Sequence, residues 1–128
     1  MRLNEFITEG RVVGLDTEYV DVSGTSLKGK IQVPYQALVN MFGEPQSFYD
    51  DPQSDVNVMW EVELQYQDDT TEYGEGHEYD TAATTIYDRR YDYDKDRRID
   101  PNSITEWNIG ARSNNEAWML EKYIRSNS

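Results

Sequence analysis

Residues 56–67 read VNVMWEVELQYQ, and apolar and polar side chains alternate through the whole stretch. Val56, Val58, Trp60, Val62, Leu64 and Tyr66 fall on one face, and Asn57, Met59, Glu61, Glu63, Gln65 and Gln67 on the other. Successive side chains of a strand point to opposite faces, so the pattern predicts one apolar face and one wet, acidic face. An antiparallel sheet covered on one side only has that signature, and this stretch is expected to be its central strand.

Working outward, the segment before it holds the best-punctuated helix in the chain. Pro34 suits a first helical turn, where its missing N–H costs nothing. Tyr35, Leu38, Val39 and Phe42 share one helical face, Gly43 supplies the cap and Pro45 blocks continuation. Further upstream, Arg11–Val22 and Leu27–Val33 are rich in Val, Thr and Tyr and flank a Ser23-Gly24 turn signal, so a hairpin is expected, with Gly29 marking a bulge. Leu3, Phe6 and Ile7 make one short apolar face that fits a single helical turn ending at Gly10, or a loose terminus.

Downstream, residues 68–80 form an acidic stretch too polar to pack, expected as a long mobile connection. Thr81–Asp88 reads as a strand, residues 89–103 as a charged excursion, and Ile104–Ile109 as the last strand. Ser113 and Glu116 have capping-box spacing and open a helix whose Ala117, Leu120 and Ile124 share a face, with Trp118 and Tyr123 at its margins. The expected fold is a single α+β domain over residues 1–128: a mostly antiparallel sheet of about five strands with two main helices on one face.

Composition bounds the function. There is no cysteine among the 128 residues, which excludes disulfides, thiolate metal sites and thiol nucleophiles. The first ten residues lack the apolar run of a signal peptide, and no stretch approaches the roughly 20 apolar residues of a membrane span, so a protein that is soluble and intracellular, or packaged into a particle assembled inside a cell, is expected. The net charge of -13 is unevenly placed: Ile31–Asp88 carries thirteen acids and no Lys or Arg. The other segments hold twelve acids and twelve bases, so the middle of the chain holds the whole excess. Such a field repels nucleic acid and acidic membranes and steers basic partners inward; it also serves as a plain solvated surface.

Four constellations bear on chemistry. Asp92, Asp94, Asp96 and Asp100 sit at calcium-loop spacing, but Arg97 stands where the loop's glycine belongs and Ser103 where a closing Glu belongs. Calcium is therefore the one cofactor considered, against an alternating-charge loop that pairs with itself. Gly110, Arg112, Ser113 and Asn114 run from a strand into a helix N-terminus, a place for a phosphate or carboxylate, or merely a turn and a cap. His77, the only histidine, is flanked by acids and glycines and lacks a nucleophile beside it. Finally, Asp68, Asp69, Glu72, Tyr73, Glu75, Glu78 and Tyr79 interleave carboxylates with tyrosines, a composition suited to contacting a basic protein surface, or to capping the sheet edge. No Walker-type loop, Ser-His-Asp order or dinucleotide fingerprint occurs, and no catalytic residue is assigned.

Four motifs, Phe42-Gly43-Glu44-Pro45, Trp60-Glu61-Val62-Glu63-Leu64, Ala83-Thr84-Thr85-Ile86-Tyr87-Asp88 and Thr105-Glu106-Trp107-Asn108-Ile109-Gly110, occur in this order. Together they resemble a widespread group of small, mostly uncharacterised bacteriophage accessory proteins, whose closing motif has a second glycine where Ala111 stands here. The resemblance implies a phage-encoded accessory protein with the α+β order read above and carries no catalytic residue; non-enzymatic action by binding is expected, in the host cytoplasm or alternatively in the virion. Joined to the charge pattern, it leads to an expected acidic inhibitor of a host defence or nucleic-acid-handling protein with a basic surface. A nucleotide-sequestering protein with a phosphate site at 110–115 and a virion decoration protein are the alternatives.

Overall fold

The computed structural model describes residues 10–48, 54, 56–68, 74, 78–88 and 101–128. In chain order they form β1 (Gly10–Asp16), β2 (Ser26–Gln32), α1 (Tyr35–Phe42), β3 (Gln46–Ser47), β4 (Val58–Asp68), β5 (Asp80–Tyr87), a single 3-10 turn (Pro101–Ser103), β6 (Glu106–Ala111) and α2 (Asn114–Asn127). The strands make one six-stranded sheet in the order β1-β4-β5-β6-β2, with two-residue β3 added on β4, and every pairing is antiparallel. The expected α+β architecture is what is found.

The alternating stretch does form a strand, and its apolar set faces the core: Val58, Trp60, Val62 and Leu64 are buried. It is not the centre of the sheet. β5 is, and it runs buried from Ala82 through Ile86 on both faces. The expected hairpin is also absent. β1 and β2 lie on opposite edges: β1 pairs β4, setting Leu15 against Leu64 and Val12 against Tyr66, while β2 pairs β6, setting Ile31 against Trp107. The Ser23-Gly24 turn forms, with the Thr25 amide donating to the Val22 carbonyl at 3.2 Å, but inside a connection that crosses between edges. Each edge also carries a register shift, at Val12/Gly14 on β1 and at Leu27/Gly29 on β2.

The helices lie on the face that carries Trp60, Val62, Leu64, Trp107 and Ile109, and contribute Leu38, Phe42, Ala117, Met119, Leu120 and Ile124 to the core. α2 packs against β2, β6, β5 and β1, so the sheet curls around it. Gly29 admits it closely; a side chain there would collide with the Glu121 carboxylate. α1 is clamped at both ends by tryptophan: Trp107 Nε1 donates to the Val33 carbonyl at 3.0 Å and Trp60 Nε1 to the Gly43 carbonyl at 2.8 Å. The two indoles meet edge to face at 5.3 Å, with Tyr35 packed on both. Such contacts contribute beyond area burial, and each buried N–H has its partner. Gly43 closes α1 with φ of 84°, a backbone region that favours glycine, and its amide reaches the Val39 carbonyl at 2.8 Å. At α2, the Ser113 hydroxyl accepts the Glu116 amide at 3.2 Å.

Asn57 departs from the expected wet face. It is 1% exposed, and its backbone amide and Nδ2 donate to Asp88 Oδ1 and Oδ2 at 2.8 and 2.7 Å. The Val58 amide adds a third donor to Oδ1 at 3.0 Å. A buried carboxylate is tolerated when N–H groups satisfy it, and here it knots the start of β4 to the end of β5. The possible helical turn at Leu3–Ile7 lies outside the described residues, and Gly10 opens β1. Residues 69–73, 75–77 and 89–100 also lie outside, and with them most of the two loops expected to be mobile and charged.

Candidate functional site

The alternation of β4 turns Glu61, Glu63, Gln65 and Gln67 away from the helices. Pairing with β1 adds Asp16 and Arg11 to the same outer face, because residues directly opposite in an antiparallel pair share a side. Asp16 therefore stands opposite Glu63 in the strand register, which sets two acidic residues side by side on this face. At the other end of β1, Arg11 Nη2 donates to Gln67 Oε1 at 2.8 Å, and Gln67 Nε2 donates to the Glu78 carbonyl at 2.8 Å. These hydrogen bonds link the start of β1 to the entry of β5 across β4.

The connection leaving β1 is tied down rather than loose. Asp16 Oδ1 accepts the Glu18 amide at 2.9 Å, and Asp21 Oδ1 accepts the Ser23 amide at 3.0 Å. Arg112 donates from Nε to the Ser23 carbonyl at 2.9 Å and from Nη2 to the Asp21 carbonyl at 2.8 Å. Hydrogen bonds from the Ser23 hydroxyl and amide hold the Asp21 carboxyl below its ordinary value of 3.8, with the Arg112 charge adding a smaller effect. At the crest of this loop Tyr19 is fully exposed, with φ of 57°, the one non-glycine residue among those described with positive φ.

The cations collect elsewhere. Lys28 and Lys30 lie on β2, and Lys122 and Arg125 on α2 above it. Lys30 makes a loose pair with Glu106 at 3.9 Å and Arg125 a closer one with Glu121 at 3.3 Å. Lys30, Ile31, Gln32, Glu106 and Arg125 line an open depression of about 410 Å³ on that side.

The sequence-derived candidates are distributed as follows. Asp68 ends β4 and pairs with Gly10 at the start of β1, while Glu78 and Tyr79 lead into β5 on the other side of β4. Asp69, Glu72, Tyr73 and Glu75 lie outside the described residues, as do His77 and the calcium-loop set Asp92, Asp94, Asp96 and Asp100. Among the described residues no group of three His, Cys, Asp or Glu side chains is placed to hold a metal. Gly110 is buried in β6 opposite Thr85, Arg112 is turned onto the loop carbonyls, Ser113 caps α2 and Asn114 is exposed on its first turn. Of these four, Arg112 is the residue that anchors the connection between the sheet edges. The Asp16–Glu63 juxtaposition was not legible beforehand, since it depends on which strand β1 chooses.

Among the described residues no helix is long and apolar enough to cross a membrane. The fold and surface thus define an α+β protein with an acidic sheet edge and a basic one. No protein-family model, curated protein or solved structure matches the chain.

Proposed function

We propose that this protein acts by binding, as a non-enzymatic inhibitor whose acidic side engages a basic surface on a host defence or nucleic-acid-handling protein. The observation that carries the reading is the Asp16–Glu63 pair. Two carboxylates set directly opposite each other on neighbouring strands weaken the sheet by several tenths of a kcal/mol. A cation from a partner relieves that repulsion, so the cost in the free protein becomes affinity in the complex. Glu61 and Glu63 from the base-free segment, together with Asp16, give the same face a field that steers basic partners in and turns nucleic acid away. The phage resemblance supplies the setting, a host cell under infection, with the virion as the other location.

The test is capture of partners from host cells by the tagged full chain, with native mass spectrometry of the eluate, for the wild type and for Asp16→Asn/Glu63→Gln. A stoichiometric basic protein, lost at about 0.5 M salt and lost with the double variant, is the expected result. Partner binding indifferent to both salt and neutralisation sinks the reading. Recovery solely with phage structural proteins moves it to the virion, and elution alone with a small added mass moves it to ligand capture.

A further inference from the structure

The two outermost strands of the sheet differ in how they are protected. A sheet edge offers unpaired N–H and C=O groups, and proteins commonly guard such edges with lysine. β2 has that guard in Lys28 and Lys30. β1 carries one cation, Arg11, and its guanidinium is engaged by Gln67 at 2.8 Å. Among the described residues β1 pairs with β4 alone.

Apolar exposure follows the same division. Tyr19, on the loop leaving β1, is 102% exposed, and Val13, at the register shift in β1, is 47% exposed. Tyr79, 40% exposed, stands at the strand end joined to β1 through Gln67. Bulky residues rarely adopt positive φ, and Tyr19 is held there on a loop pinned by Arg112 and two aspartate turns. An aromatic presented rigidly to solvent loses little freedom on binding. Asp16 and Glu18 precede Tyr19 in the chain, and Glu78 precedes Tyr79.

We propose that the β1 edge, with Val13 and Tyr19 as apolar anchors, is a docking edge for an extended, Lys/Arg-bearing segment of a partner, which adds to the sheet as a further strand. The inference rests on the reading of the protein as an acidic binder and names the surface it uses. Main-chain hydrogen bonds supply affinity in this mode, and alternate side chains supply selectivity. The charge of the β1 side fits a basic strand, and Lys28 and Lys30 turn the same strand away from β2.

The experiment uses the full chain and three synthetic peptides of about ten residues, an ordinary strand length. One alternates Lys or Arg with Val or Thr, one replaces each base with Glu, and one keeps the bases but is N-methylated at alternate amides. Binding is read by fluorescence anisotropy and the contact by amide exchange. The basic peptide is expected to bind at low salt and to protect β1 amides while leaving β2 amides unchanged. The Glu peptide fails to bind, and N-methylation weakens binding at least about tenfold, because it removes the ladder and keeps the charge. Tyr19→Ser, at a side chain that supports nothing in the fold, weakens binding by about tenfold. Equal binding of the N-methylated peptide, or protection of β2 in place of β1, overturns the docking edge while leaving the acidic-binder reading in place. Failure of all three peptides also overturns the edge, and the partner-capture experiment then decides the broader reading separately.

Discussion

The two edges of this sheet are built from the same backbone and have opposite chemistry. The β2 edge carries Lys28 and Lys30 and lies beneath a helix bearing Lys122 and Arg125. The β1 edge carries Asp16 opposite Glu63, exposed Val13 and, just beyond it, exposed Tyr19. A chain with net charge -13 has few bases to place, and four of the six within the described residues serve the β2 side. The remaining two, Arg11 and Arg112, are engaged in hydrogen bonds on the β1 side and its loop. The contrast teaches that net charge describes this surface poorly. Sheet topology sorts the charges of the described residues into one edge with lysines and one with carboxylates.

The largest expected effect erases the contrast altogether. Trp107 joins the two halves: it sits on β6 opposite Ile31 of β2, meets Trp60 of β4 edge to face and donates to the Val33 carbonyl. Trp107→Ala is expected to cost about 3–5 kcal/mol in a urea unfolding curve, and both edges should lose amide protection in one transition. Survival of either edge alone would mean that the halves fold independently.

A smaller effect separates the loop from the sheet. Arg112→Ala removes two hydrogen bonds to the connection between the edges and should lower stability by about 1 kcal/mol. Amide exchange should quicken at residues 17–25 while the β1–β4 ladder keeps its protection. Loss of binding at the phosphate level instead, measured by titrating inorganic phosphate into wild type and variant, would restore the anion-site alternative.

Next comes a change of opposite sign. Glu63→Gln removes one member of the like-charge pair and should raise stability by about 0.5 kcal/mol, read from the urea midpoint, with less gain at high salt. The matched control, Glu106→Gln, removes the partner of Lys30 and should give no gain. Equal responses at the two positions would dissolve the electrostatic difference between the edges.

The smallest effect is at Asp21. Its folded carboxyl titrates below 3.8, so any stabilisation it provides is complete above that value and fades as pH falls through the lowered midpoint. Carbon NMR titration of the Asp21 carboxyl should show the depressed midpoint, and Ser23→Ala should move it back toward 3.8.

Much of the fold was legible from local pattern. α1, β4, β5, β6 and α2 follow from periodicity and punctuation, because Gly43 and Ser113 act through their own turns. The Asn57 knot was not legible: alternation puts Asn57 on the wet face, and only the distant Asp88 carboxylate makes its burial tolerable. Nor was Arg112, whose partners Asp21 and Ser23 lie far away in the chain. Of the acidic contact surface, its sign and its tyrosines could be read from composition, whereas its location could not.

By itself, then, the sequence determined the class of fold, the positions of the helices and most strands, and the base-free, acidic character of the middle of the chain. These depend on side-chain period, caps and charge count, all local quantities. Tertiary structure alone decided that β1 and β2 part to opposite edges, that Asp16 meets Glu63, and that one edge carries lysines and the other carboxylates. Strand pairing is a non-local choice, set by which partners bury the most apolar surface, and no window along the chain contains it.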